Sequence, residues 1–181
     1  QPDSDSKDPK MTAATGPDST AQQTFYLKDY TPFGFEVDSV DLTFRLAPNA
    51  TRVISRIHFT PKADAADPQF FLHGEKLKLI SASIDGVAVA PDVTPEGLVC
   101  ATPDTGFLWE AEVEIDPAGN TALEGLYMSN GMYCTQCEAE GFRKITYYPD
   151  RPDVMSTFTV RIEGDEEVLL SNGNPVSQGA G

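Results

Sequence analysis

Cys134 and Cys137 are separated by two residues, a spacing that holds half of a structural zinc site or makes a redox pair. A zinc site needs two further ligands, and the remaining candidates, Cys100, His58 and His73, are scattered along the chain. A redox pair is expected at a helix N-terminus within a β-α-β unit. The plainer reading is two thiols packed beside a hairpin. Neither histidine has a second histidine at the spacing of His-Glu-x-x-His. The chain also contains no Gly-x-Ser-x-Gly elbow and no glycine-rich loop ending in Gly-Lys-Ser/Thr. On motifs alone no catalytic residue and no metal ligand set emerges. Asn49-Ala50-Thr51 fits a glycosylation sequon, which matters only in a secretory context.

One segment stands out. It runs from Cys134 through Thr135, Gln136, Cys137, Glu138, Ala139, Glu140 and Gly141 to Phe142-Arg143, and on through Ile145-Thr146-Tyr147-Tyr148-Pro149-Asp150 to Val154. It is too long for a turn and too rich in functional side chains for a linker, and loops of this kind on a β scaffold carry binding groups. Glu138 and Glu140 flank Ala139, so one is expected outward and the other against the domain. A carboxylate facing a cleft can hold an ammonium group through a charge-assisted hydrogen bond. The bland alternative is that both are solvated or pair with Arg143 or Arg151.

The elements that must position this segment read as strands. Val40, Leu42, Phe44 and Leu46 alternate with polar residues, as do Phe158, Val160 and Ile162, and Phe107, Trp109, Ala111, Val113 and Ile115 alternate with Leu108, Glu110, Glu112 and Glu114. Period two buries one face of a strand and wets the other. The row Glu110, Glu112 and Glu114 is therefore expected as a solvated sheet surface. Asp85-Gly86 and Asn130-Gly131 each sit between short apolar runs and signal hairpins. With 14 Pro and 14 Gly, many of them between runs, the chain reads as all-β, an antiparallel sandwich or open barrel. Residues 1–23 contain no Phe, Trp, Tyr, Leu, Ile or Val and are expected to be a disordered polar tail. The folded domain is expected over 24–181.

Length and charge limit the function. One chain of 181 residues suits a single domain. A formal net charge of −15 argues against nucleic acid and anionic membrane as partners, because phosphate binding needs clustered Lys and Arg. No run approaches the length needed to span a bilayer. No signal-peptide pattern opens the chain, and a cytoplasmic location is expected.

Taken together, several blocks resemble the N-terminal domain of the bacterial aminopeptidase N family, zinc metallo-aminopeptidases that carry His-Glu-x-x-His. These are Tyr26 to Tyr30, Val40 to Phe44, Leu72 to Leu79, Asn120 to Tyr127, Cys134 to Arg143, Ile145 to Val154 and Leu169 to Asn174. The resemblance implies a saddle-shaped β-domain that caps a catalytic domain in the same polypeptide, in an enzyme that cuts single residues from peptide N-termini. Under it, Glu138 corresponds to the glutamate that binds the substrate's free α-amine. Gln136 corresponds to the glutamine lining the pocket for the first side chain. The sequence has no His-Glu-x-x-His, so zinc is expected in the parent enzyme and no cofactor in this chain, which alone is expected to be inactive. The rival expectation is a free-standing β-sandwich binding module that keeps the amine-recognition loop.

Overall fold

The computed structural model describes residues 27–65 and 69–179, and the period-two runs appear in it as strands. They are β1 (Phe35–Arg45), β2 (Thr51–Pro61), β3 (Phe71–His73), β4 (Lys78–Ile84), β5 (Val87–Ala88), β6 (Asp92–Thr94), β7 (Gly97–Val99), β8 (Phe107–Ile115), β9 (Gly125–Ser129), β10 (Met132–Gln136) and β11 (Thr157–Glu163). Helix among the described residues is confined to 3-10 turns at Leu27–Asp29 and Phe142–Lys144. Residues Pro32–Gly181 make one compact unit. In the other, Gln1–Thr31, the amide of Tyr30 donates to Leu27 O (3.2 Å). The expected 1–23 tail lies outside the described residues.

The main sheet is open and ordered β11, β1, β2, β8, β4, β5; β3, β7 and β6 form a second sheet and β9–β10 a hairpin. Inward-facing residues line up across the main sheet because register fixes which face each side chain takes. Val40, Ile57, Trp109 and Ile84 make one row, and Leu42, Ser55, Ala111 and Ala82 the next. The apolar positions of β1 change phase between Val37 and Val40, and a bulge between Val37 and Ser39 absorbs the extra residue. Phe33, Phe35, Phe59, Phe70, Phe107 and Trp109 pack at one end, mostly edge to face. The second sheet adds Leu72 and Leu98, and the hairpin Leu126, to the same core.

Both hairpin signals are realised. Asp85 and Gly86 have φ of 50° and 77°, and Asn130 and Gly131 have 50° and 81°, the left-handed pairs of tight two-residue turns.

Two expectations need correction. Strand β11 runs parallel to β1, whereas the other pairings of the described sheets are antiparallel as expected. A two-residue hairpin imposes the antiparallel sense, but the long 137–156 connection before β11 does not. The run Phe158, Val160, Ile162 buries its face only in part: Ile162 packs against the core and the Phe158 ring meets Phe142 and Tyr148, but Phe158 is 46% and Val160 39% exposed, because β11 is an edge strand. The glutamate row of β8 lies on the outer face, and each member is engaged. Glu110 pairs with Arg56 (3.2 Å), Glu112 with Arg52 (3.0 Å), and Glu114 with Arg52 (3.2 Å) and Lys78 (2.8 Å). Such surface pairs contribute about 0–1 kcal/mol each, so the apolar face carries the fold.

Phe59→Ala, which empties the aromatic end, is accordingly expected to lower unfolding free energy by about 3–5 kcal/mol in urea titration. Arg56→Ala on the opposite face should change it by less than about 1 kcal/mol.

Candidate functional site

The 134–154 segment starts on β10, folds back, and then enters the core. Gln136 ends β10 opposite Gly125, so its side chain has no cross-strand side-chain neighbour. Residues 138–141 form turns and the amide of Gly141 donates to Cys137 O (2.8 Å). The fold-back needs glycine at 141. A Cβ there would lie 2.5 Å from Gln136 O and 2.9 Å from the Cys137 Cα. Phe142–Lys144 follows as a 3-10 turn, and Ile145 to Tyr148 are buried.

This buried stretch fits because the main sheet offers a row of small residues. Thr146, fully buried, donates to the Ser55 hydroxyl (3.3 Å), and Ser55 donates to Ala111 O (3.4 Å). Tyr148 makes a bridge with His73, amide to carbonyl in both directions at 2.9 and 3.1 Å. A Cβ at Gly74 would lie 2.3 Å from the Tyr147 ring, so the segment also needs glycine there. Burial, reinforced by Asp150, pushes the Tyr148 phenol up to about 12.

Arg143 ties the exposed half of the loop to the buried half. Its Nε donates to Asp150 Oδ2 (3.0 Å) and a terminal nitrogen to Asp150 O (3.1 Å), while its own amide also donates to Asp150 Oδ2 (3.1 Å). Glu140 (3.4 Å) and Glu75 (4.0 Å) flank the same guanidinium. Lys144 pairs with Glu124 and with Glu75 (3.7 Å). The hydrogen bond between them raises the Lys144 ammonium and lowers the Glu124 carboxyl relative to their ordinary values.

The two glutamates of the loop are thereby separated. Glu140 pairs with Arg143, and Arg151 pairs with Asp153 (2.8 Å). Glu138 is exposed, and its carboxylate has neither hydrogen bond nor ion pair within the described residues. Gln136, two residues earlier, is likewise exposed with its amide unpaired. Sequence reasoning named Arg143 as one of two possible partners for these glutamates but missed Glu75 and Asp150 as its counterions. The Glu140–Arg143 spacing was the one local signal; Glu75 is brought in from the β3–β4 connection. An open groove of about 610 Å³ lies nearby between Gly74–Leu77 and Val93–Glu96, with Tyr147 in its wall; Glu138 and Gln136 do not line it.

The sequence profile of the peptidase M1 N-terminal domain matches residues 37–180. The chain belongs to this family. Aminopeptidase N of Caulobacter vibrioides is 49% identical over 163 residues, which is 87% of this chain and 19% of that protein. The chain therefore spans about a fifth of the relative's length. Among solved structures, Legionella pneumophila aminopeptidase A, in complex with aspartic acid, superposes with a TM-score of 0.68 at 28% identity, over 75% of this chain and 17% of that one. A Deinococcus radiodurans M1 zinc metallopeptidase bound to Tyr-Ser-Ala shares the fold alone, with TM-score 0.60 and 18% identity over 71% of this chain and 32% of that one.

The residues of this M1 N-terminal domain do not fit a zinc site. Among the described residues no three of His, Cys, Asp and Glu converge; His58 sits exposed on β2 and His73 half-buried on β3. All three cysteines are free thiols, and burial pushes Cys100 and Cys137 up, the opposite of an activated thiolate. The sequon also finds no support. Thr51 is fully buried, its hydroxyl donating to Ala47 O (2.7 Å). No helix among the described residues is long and apolar enough to cross a membrane.

His73 gives this domain a pH dependence. Burial, and then the Arg143 charge, lower its imidazole below the ordinary value near 6.5, outweighing the opposite pull of Asp150, Tyr148 and Glu140. Between the lowered folded value and the ordinary one, the unfolded chain binds more protons than the folded chain. Stability is therefore lost as pH falls through about 6.5 and levels off below the folded value. Urea titrations of the chain between about pH 7.5 and 5.5 should show that decline, and His73→Gln should flatten it.

Proposed function

We propose that this domain anchors the free N-terminus of peptide substrates for a zinc-dependent aminopeptidase of which it is one part. Glu138 receives the α-ammonium group, and Gln136 forms one wall of the pocket for the first side chain. The observation that carries this reading is the single unpaired carboxylate on a loop whose other acidic groups all have cationic partners. An ammonium group is the cation that completes the set. The contact also explains exopeptidase behaviour: a free N-terminus supplies a charge, whereas an internal peptide bond has none to offer.

A zinc ion bound elsewhere in the parent protein would supply activation of the attacking water. This chain contributes no ligand to it, so alone it is expected to bind no catalytic zinc and to hydrolyse nothing. Its second partner is the catalytic domain of the same polypeptide. Phe158, Val160, Leu169 and Leu170 are exposed on and after β11, and these apolar side chains are the ones we assign to that contact. We further propose a cytoplasmic location for the parent protein.

Glu138→Gln in the full-length enzyme tests the assignment. A charge-assisted hydrogen bond contributes about 1.5–3 kcal/mol, so kcat/KM should fall roughly 10- to 150-fold while zinc content stays unchanged. A kcat/KM within about two-fold of wild type would overturn the role given to Glu138.

A further inference from the structure

We propose that Arg143 is a positioning residue that decides which loop carboxylate receives the substrate amine. The inference rests on the reading of Glu138 as the amine anchor and deepens it. Two exposed glutamates stand two residues apart, chemically equivalent as ammonium ligands, and 70% of the Glu140 side chain is open to solvent. What distinguishes them is the guanidinium, whose terminal nitrogen lies 3.4 Å from Glu140 Oε1. It places a cation beside one oxygen of Glu140, whereas Glu138 has no cation beside it among the described residues.

The geometry suits arginine in particular. One planar fork contacts the Asp150 carboxylate and carbonyl on one side and Glu140 on another, with Glu75 at 4.0 Å. The Arg143 side chain is only 12% exposed, and that of Asp150 equally so, which keeps the pair on the well-packed side. Glu140 is therefore held by a cation that cannot follow it into solvent. A lysine ammonium, a point charge without the fork, could keep Asp150 or Glu140 but not both. Locally Arg143 and Lys144 face four carboxylates, Glu75, Glu124, Glu140 and Asp150. The cluster is thus short of cations, and a released Glu140 would compete for the incoming ammonium.

A substrate held on Glu140 would be displaced from the register that Glu138 sets and would not react. Such nonproductive binding lowers kcat and KM together. This separates selection from mere bracing, because a loosened loop lowers kcat/KM and is indifferent to Glu140.

The test uses the full-length enzyme and an aminoacyl p-nitroanilide. Arg143→Lys is the principal variant, because it keeps a charge beside the buried Asp150 carboxylate while releasing Glu140; kcat and KM should fall together by about two- to five-fold, the scale of releasing one exposed ion pair. Glu140→Gln added to Arg143→Lys should restore both, and Glu140→Gln alone should leave them unchanged. Arg143→Gln made together with Asp150→Asn, which strands no buried charge, should show the same fall, again restored by Glu140→Gln. Wild-type kinetics in the Arg143 variants, or a loss that Glu140→Gln does not restore, would overturn the proposal. Glu138→Gln measured alongside separates the two readings. If it retains wild-type kcat/KM, the amine-anchor assignment itself fails; if it loses activity while the Arg143 series ignores Glu140, only the selection by Arg143 fails.

Discussion

The ion pair between Arg143 and Asp150 holds the functional loop to the core, and most of the local architecture follows from it. Both side chains are 12% exposed, so each is largely withdrawn from water and each needs the other. Removing one partner of such a pair leaves an uncompensated charge, at a cost of about 3–5 kcal/mol. The pair joins two ends of one segment: the 3-10 turn that follows the exposed glutamates, and the stretch just after the buried Tyr147-Tyr148. Between these ends Thr146 reaches Ser55 on the main sheet. The loop is consequently a strap fastened at both sides of a core insertion. Its exposed carboxylate lies five residues before Arg143, on the anchored side of that strap, and a well-placed carboxylate orders a bound ammonium at smaller entropic cost than a mobile one.

Much of this was legible in the residues. Strand β8 coincides with the alternating run 107–115, because a half-buried strand writes its burial directly into period two. The two hairpins coincide with Asp85-Gly86 and Asn130-Gly131, because left-handed backbone is restricted to few residue types. The loop itself was identifiable from its density of polar and aromatic groups. What composition and spacing left open was which glutamate is free. The Glu140–Arg143 spacing permits that pair but does not require it; Arg143 is held in place by Asp150 and by Glu75, the second a contact across 68 positions of chain that no local pattern encodes.

Strand β11 shows a different limit. Its alternation is as regular as that of β8, yet its face is covered only at Ile162 and in part at Phe158, because alternation says that a face is apolar and not what covers it. The parallel pairing to β1 was equally hidden, since only short connections dictate strand direction. The outer glutamates of β8 show the converse. A row of like charges reads as solvated in sequence, and register brings Arg52, Arg56 and Lys78 against it.

The most direct measurement is a crystal structure of the full-length enzyme with a free amino acid bound at the active site. The account predicts a Glu138 carboxylate oxygen at about 2.7–2.9 Å from the α-ammonium nitrogen, with Arg143 still on Glu140 and Asp150. An ammonium group held by other carboxylates, with Glu138 turned into solvent, would contradict it.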